Sequence, residues 1–271
     1  MANDHFISRF LTKPWEFADQ RLHIARGLRV FDFAKQVFDW APSKSLFAQE
    51  GLTSPAVELM LNRYVETPAG KLADDIKAGL RLKSLDDVEW KTIRSLALLF
   101  ALNPQRLFEA RGETLPIRSL ADLETGGESL MDATARQFLS RFAMFLVELR
   151  GEHDLCFPEV AMFPVPLPGQ IVIGIPLGLR CALLMSRGNT LPPAGSLEEL
   201  VENDLLPGLS LGIGGNSNRV VLSPGWRAAY DRDAIEAREA LNTVRTSCRD
   251  LCKMIAKAGK TVGIANWEIN E

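Results

Sequence analysis

Apolar and polar residues follow different periods in different parts of this chain, and each period predicts an element. From Leu28 to Phe33 they alternate with a period of two, which is typical of a strand with one buried face. We expect the apolar segment Phe6 to Leu11 to pair with this strand. Pro14-Trp15 is expected to mark the end of that segment.

A helical period begins after Ser54-Pro55. The serine oxygen can accept an amide hydrogen, and proline lacks the N–H that would stay unpaired at the first helical position. The run 56–82 carries apolar residues at helical spacing. Pro68 lies inside it, and we expect it to kink or divide the helix.

Two more helices are predicted before the middle of the chain. A capping-box pattern at 84–87 opens the first, which ends near Asn103. The second spans Met131 to Arg150, where Gly151 ends it. The glycine pair Gly126-Gly127 is expected to interrupt regular structure before this helix. Four large apolar residues form one stripe on the helix: Phe138, Phe142, Phe145 and Leu149.

The pattern changes at Gly151. Prolines and β-branched residues over 155–186 predict short strands with tight connections. Residues 205–226 are rich in glycine, asparagine and serine and are expected to form a loop.

The last long element has the most regular pattern. From Ala234 its apolar positions alternate spacings of three and four as far as Ile255, which predicts an amphipathic helix that Gly259 ends. Residues 261–269 are expected to form a closing strand.

These elements predict an α+β fold. It is predominantly helical, with a small mixed or antiparallel sheet formed mainly by 155–186 plus N-terminal and C-terminal strands. Because a sheet with so few strands would not fold alone, we expect one domain over 1–271. Gly151 is a candidate sub-boundary between a mostly helical part, 1–150, and a sheet with the long C-terminal helix, 151–271.

Composition narrows the classes of protein. The chain has 271 residues and is 46% hydrophobic, which is enough to form a core. Its net charge of −3 gives no strong nucleic-acid signal, although it is compatible with a local basic groove. Polar residues interrupt the N-terminal apolar run, which is therefore not expected to be a secretory signal peptide. No apolar stretch is long enough for a membrane-spanning helix. Four cysteines show no paired framework, which favours reduced thiols and a cytoplasmic location.

Six residues are candidates for a functional site. His5 and Arg9 could act as a general base and a phosphate-facing cation, or could lie at a strand edge near the terminus. Asn103 and Arg106 could bind an anion, or could satisfy free carbonyls at a helix end. Asp32 and Glu159 are the carboxylates that could meet them in a cleft.

Metal-binding interpretations are less favoured than simpler ones. The loop residues Glu152, His153, Asp154 and Glu159 carry donors that suit a divalent cation, but a solvated polar loop explains them too. Cys248 and Cys252 are four residues apart, but Cys248 lies on the apolar stripe of the last helix and is expected to pack there. We therefore predict no metal and no cofactor.

The order of several short motifs resembles that of a known bacterial family. His5-Phe6-Ile7-Ser8-Arg9-Phe10-Leu11 resembles the opening His-Tyr-Val-Pro-x-Phe-x-Leu of domain-of-unknown-function family 4238. Later blocks are similar in the same order: Val30-Phe31-Asp32, Leu46-Phe47-Ala48, Glu66-Thr67-Pro68-Ala69, Asn103-Pro104-Gln105-Arg106, Ile175-Pro176-Leu177 and Leu241-Asn242. The family's Asp-Asn-Pro step is missing from 157–166. The resemblance implies an architecture and candidate positions, and it implies no reaction.

Two functions of different classes follow. The first is a soluble bacterial protein that acts through binding or interaction, with an unknown partner for which a protein is one candidate, and with no membrane attachment. The second is a divergent hydrolase or nuclease that uses His5 and Arg106 in a shared cleft. Because the chain has no dense catalytic cluster, we favour binding and leave open whether the protein is an enzyme.

Overall fold

The computed structural model describes residues 3–5, 9–19, 24–50, 54–77, 94–95, 122–140, 142–148, 154–159, 163–165, 172–187, 218–224 and 234–261. Within these ranges the fold combines helices with antiparallel sheets, which confirms the predicted α+β class. The strands are β1 Asn3–His5, β2 Phe17–Asp19, β3 Ile24–Asp32, β4 Val37–Ala41, β5 Ala48–Glu50, β6 Phe142–Glu148, β7 Phe157–Pro158, β8 Phe163–Val165, β9 Val172–Gly178, β10 Cys181–Arg187 and β11 Arg219–Val221. The helices are α1 Arg9–Thr12, a 3₁₀ turn Lys13–Trp15, α2 Pro55–Leu61, a π-turn Asn62–Glu66, α3 Thr67–Lys77, α4 Asp122–Leu139 and α5 Ala234–Thr261.

A five-stranded sheet is built around β3. Its order is β2-β3-β11-β7, and β4 pairs with β3 as a hairpin from Leu28↔Ala41 to Asp32↔Val37. The strand predicted at 28–33 is thus confirmed, but its predicted partner is wrong. Residues 9–11 of the predicted partner belong to α1 and residues 6–8 lie outside the described part, while β3 pairs with β2, β4 and β11.

A four-stranded sheet has the order β6-β10-β9-β8. Three strands predicted within 155–186 lie here, whereas β7 belongs to the five-stranded sheet. The helix predicted over 131–150 is wrong in its second half, because α4 ends at Leu139 and β6 pairs with β10 from Phe142↔Arg187 to Glu148↔Cys181. A continuous apolar run suits a buried helix and a buried strand equally well, and pairing decides between them.

The chain ends contribute in different ways to the predicted sheet. An N-terminal strand exists, since β1 pairs with β5 at His5↔Ala48 in a separate two-stranded sheet. The C-terminal strand predicted at 261–269 is not supported at its first residue, because Thr261 is the last residue of α5; residues 262–269 lie outside the described part.

The helical segment after Ser54 follows its sequence signals closely. The Ser54 side chain accepts a hydrogen bond from the Val57 amide at 3.4 Å, with proline at the first helical position. The helix is not divided at Pro68 but passes through the π-turn just before it. Proline has no N–H for the Tyr64 carbonyl four residues earlier, and the Ser95 hydroxyl donates to that carbonyl at 2.8 Å.

The interruption predicted at Gly126-Gly127 lies inside α4. Gly127 has φ 53° and ψ −146°, which interrupts the helical geometry there. This left-handed φ suits glycine because glycine has no Cβ.

The long final helix docks on the five-stranded sheet through its predicted apolar stripe. Ala237, Leu241 and Val244 are buried in one cluster with residues of β3, β11 and the neighbouring segments, namely Phe31, Phe33, Cys156, Val220 and Leu222. Gly259 does not end the helix, which continues to Thr261. The strand β11 lies in the region predicted as loop, where three residues are held between β3 and β7.

Candidate functional site

The segment Asp154–Glu159, which we call the junction segment, links the two larger sheets. The Leu155 amide donates to the Leu179 carbonyl, in the β9–β10 turn, at 2.7 Å. The Leu155 carbonyl accepts a hydrogen bond from the Trp15 indole nitrogen at 2.6 Å. Trp15 is fully buried and meets the Phe157 ring edge-on, with centroids 5.3 Å apart. The backbone of one residue thus connects the four-stranded sheet to the N-terminal 3₁₀ turn.

Glu159, a predicted binding residue, closes the junction segment with an ion pair. Its Oε1 accepts from Arg219 Nε at 2.8 Å and from Nη2 at 2.6 Å. Its Oε2 accepts from the backbone amides of Asn218 and Arg219, each at 3.1 Å. Only 7% of Glu159 is exposed. Both oxygens are therefore engaged with the start of β11, which is a structural use of the carboxylate.

Asp32, the second predicted carboxylate, caps the β3–β4 turn. Its Oδ1 accepts from the amides of Ala34 and Lys35, each at 2.9 Å, and its Oδ2 lies 3.8 Å from the Lys35 ammonium nitrogen. Aspartate commonly holds turns in this way. The interaction stabilises the hairpin that presents Gln36 with a positive φ of 57°.

The sheet register brings these two predicted carboxylates to one end of the five-stranded sheet. Asp32 is directly opposite Arg219, and Pro158, which precedes Glu159, is opposite Val220. Arg219 also places its guanidinium 5.5 Å from the centre of the Phe47 ring. The register therefore places Asp32 and Glu159 at the same end of this sheet, with Arg219 on the strand between them. Each carboxylate accepts hydrogen bonds from internal donors, which holds it in place.

Cys156 lies in the same segment but is not prepared for nucleophilic chemistry. The thiol is buried in the cluster under α5, and that burial raises its pKa to about 12. A backbone hydrogen bond from Ser223 lowers the pKa and the negative charge of Asp154 raises it, both to a smaller extent. Because the thiolate is the reactive form, this side chain stays a protonated hydrophobic group at neutral pH.

The remaining predicted site residues are not brought together by any described contact. Arg9 is exposed at the start of α1. His5 is the last residue of β1, and its side chain lies outside the described part. Asn103 and Arg106 also lie outside the described residues. The cleft that would join His5, Arg9 and Arg106 therefore stays a prediction.

The predicted cation loop is only partly described. Asp154 pairs with Arg180 through Nε at 3.1 Å, and Glu159 pairs with Arg219. Glu152 and His153, like the side chains of Cys248 and Cys252, lie outside the described part. In the ranges that the structure covers, no three histidine, cysteine, aspartate or glutamate side chains form a group that could hold a metal ion.

Sequence reasoning missed a second polar cluster, centred on Arg94. Its Nη1 lies 2.7 Å from Asp132 Oδ1 and 3.4 Å from Glu128 Oε1, and its guanidinium carbon lies 5.6 Å from the centre of the Tyr64 ring. The two carboxylates are four residues apart on α4, a spacing that marks one helix face. That spacing of two carboxylates is the feature of the sequence that could have indicated this cluster. Arg94 itself could be found only from the packing of α4 against α2 and the π-turn.

A third arrangement, also missed, lies along one edge of α5. We define the α5 basic edge as Arg245, Arg249 and Lys253. The Arg245 guanidinium carbon lies 4.5 Å from the centre of the Phe33 ring, and its buried Nε has no hydrogen-bond partner within the described ranges. Burial lowers the pKa of Arg245, and the neighbouring charge of Arg249 lowers it further. Arg249 and Lys253 are exposed.

A reciprocal amide pair holds this edge against the hairpin. Asn242 Nδ2 donates to Gln36 Oε1 at 2.7 Å, and Gln36 Nε2 donates to Asn242 Oδ1 at 3.2 Å. Asn242 is one turn before Arg245 on the helix. The Gln36 and Phe33 contacts together fix the basic edge relative to the sheet.

Comparison of the chain with protein-family models, with curated proteins and with solved structures found no match. Among the described helices, none combines the length and the hydrophobicity needed to cross a membrane.

Proposed function

We propose that this protein acts by binding another molecule through the outer surface of α5. The observation that carries the proposal is the way this helix is held. The described residues of its apolar stripe, Ala237, Leu241 and Val244, are buried in a hydrophobic cluster with β3 and β11, and the amide pair between Gln36 and Asn242 holds the helix to the hairpin. The opposite side is exposed at Glu239, Thr243, Arg249 and Lys253, and three of these side chains are charged.

The contacts of the two predicted carboxylates, Asp32 and Glu159, favour a structural role for them over a catalytic one. A general base needs a lone pair that can reach the proton it removes. In Glu159 both oxygens already accept hydrogen bonds from Arg219 and from backbone amides, and in Asp32 the Oδ1 atom accepts two from backbone amides. These residues are better explained as parts of the frame that positions β3, β11 and α5.

The divergent hydrolase or nuclease stays the second prediction. It requires His5 and Arg106 to meet in a cleft, and no contact among the described residues favours it. A His5→Ala variant that loses a measured ester or phosphodiester turnover, while keeping its thermal unfolding temperature, would establish it and displace the binding proposal.

Four companion predictions belong to the same proposal. They are a predominantly helical chain overall, a single domain with a candidate boundary near Gly151, a cytoplasmic location and membership of family 4238. The free thiol of Cys156 supports the cytoplasmic location, because such compartments keep thiols reduced.

Site-specific photo-crosslinking in cells tests the proposal. A benzophenone amino acid replaces Thr243 or Glu239 on the exposed side of α5, and Leu59, which is 72% exposed on α2, serves as the control position. We expect crosslinked products from the α5 positions and not from Leu59. Equal yields from all positions, or products from Leu59 alone, contradict the proposal.

A further inference from the structure

The α5 basic edge presents its charges at regular intervals. Arg245, Arg249 and Lys253 are four residues apart, so each step rises about 6 Å along the helix. Like charges at this spacing destabilise a helix. Within the described ranges, none of the three is paired with a carboxylate. The chain therefore maintains an unfavourable row of cations on an otherwise well-packed helix.

Arg245 is already held as a binding group. Its guanidinium lies over the Phe33 ring, which restricts its orientation, and its Nε–H has no described acceptor. An arginine stacked on an aromatic ring in this way can present the outer donors of its guanidinium to a phosphate, whereas the buried Nε lies out of reach. The neighbouring Arg249 charge makes an anion at this edge more favourable still.

The charge distribution limits binding to this edge. Residues 234–261 contain six basic and three acidic side chains, whereas the whole chain has a net charge of −3. The rest of the molecule is thus acidic and repels a polyanion. An anionic partner is attracted to α5 and held away from other surfaces.

A linear polyanion fits this edge better than a membrane does. An interfacial helix inserts its apolar face into the lipid, but that face of α5 is buried against the sheet at Ala237, Leu241 and Val244. A row of cations along a helix can instead follow a row of phosphates.

We propose, resting on the proposed binding function, that the α5 basic edge binds the phosphate backbone of a nucleic acid strand. Arg245, Arg249 and Lys253 each contact a phosphate, and no base is read. With only three contacts the binding is weak and depends moderately on salt.

Fluorescence anisotropy of a labelled 20-nucleotide oligothymidine with the full chain tests this proposal. Each phosphate contact on a single strand contributes about −0.7 to the slope of log K against log salt, so three contacts predict a slope of about −2. Affinity should then fall about 20-fold between 50 and 200 mM NaCl. The double variant Arg249→Gln, Lys253→Gln should retain a slope of about −0.7 and fall only about threefold.

A matched control removes the same charge elsewhere. Lys13→Gln, Lys71→Gln changes two exposed lysines on other elements, the 3₁₀ turn and α3, and should keep the parent slope. Because Arg249 and Lys253 are exposed, their double variant should keep the parent circular dichroism and unfolding temperature. If it does not, the single variant Arg249→Gln replaces it, with an expected slope of about −1.4.

Three outcomes overturn the proposal. They are no binding at 50 mM NaCl, equal slope changes in the two double variants, and α5-dependent binding of polyglutamate or phosphatidylserine vesicles without binding of the oligonucleotide. In the last case, or if crosslinks from Thr243 capture a protein alone, the proposed binding function stands while its nucleic-acid partner is wrong. Absence of any α5 crosslink would remove both.

Discussion

The junction segment and the α5 basic edge use charge in opposite ways. In the junction segment, Glu159 accepts four hydrogen bonds through its two oxygens, and Asp154 pairs with Arg180. On α5, Arg245 and Arg249 are neighbours of the same sign, and the pKa of Arg245 is lowered first by burial and further by the charge of Arg249. The first region neutralises its charges internally, whereas the second leaves them available.

This difference separates residues that serve the fold from residues that can serve a partner. A buried carboxylate with all its lone pairs engaged strongly resists removal. An exposed cation beside other cations contributes nothing favourable to stability, so its removal should not harm the fold. Stability measurements on the two regions should therefore move in opposite directions.

The largest effect is expected from Glu159→Ala. It leaves Arg219 and two backbone amides without their acceptor, and we expect a loss of about 2–4 kcal/mol in the free energy of unfolding. Urea denaturation measures it. Glu124→Ala, at an exposed position of α4, is the control and should change stability by less than about 0.5 kcal/mol. A similarly small loss for Glu159→Ala would mean that the ion pair is not structural.

Trp15→Phe tests the other end of the junction segment. The variant keeps an aromatic ring against Phe157 but removes the indole N–H that donates to the Leu155 carbonyl. An unsatisfied buried carbonyl costs about 1–3 kcal/mol. Trp40→Phe, where the ring is half-buried, is the matched control. Equal losses from the two variants would show that ring volume, and not the hydrogen bond, sets the cost.

Cys156 should make stability depend on pH above about 9. Its pKa is raised from 9.0 to about 12 in the folded state, so the unfolded chain releases the proton first as the pH rises. Stability is complete below pH 9 and then falls by about 1.4 kcal/mol per pH unit toward pH 12. Urea titrations at pH 8, 9 and 10 should show this fall relative to Cys156→Ala, and parallel curves would contradict it.

The smallest effect is a gain. Arg249→Glu replaces two like-charge neighbours, Arg245 and Lys253, with two favourable pairs at four-residue spacing, and we expect about 0.5–1 kcal/mol of added stability. Thermal unfolding at low salt measures it, and 1 M NaCl should remove it by screening. A loss of stability would show that Arg249 already has a carboxylate partner.

Local signals in the sequence correctly predicted several elements. Ser54-Pro55 begins a helix, the alternation at 28–33 forms a strand, and the stripe from Ala237 docks a long helix. Each signal acts through neighbours a few residues away, such as the side-chain cap to Val57. For these elements the period of the pattern and the chemistry of the ends were sufficient.

Distant pairing decided the elements that were predicted wrongly. Residues 142–148 read equally well as helix or strand, and seven cross-strand pairs with β10 make them a strand. Residues 219–221 lie in a region of loop composition, yet they complete the sheet between β3 and β7. Composition carries no information about a partner that lies far along the chain.

The sequence by itself determined the mixed helix-and-sheet class, the starts of helices and the apolar stripe of α5, because those depend on short-range spacing. Only the tertiary structure decided which charges are used internally. Glu159 and Arg219 are 60 residues apart, and strand register alone brings them together. The α5 basic edge stays available because no described carboxylate pairs with its cations, and a spacing pattern cannot reveal whether a charge has such a partner.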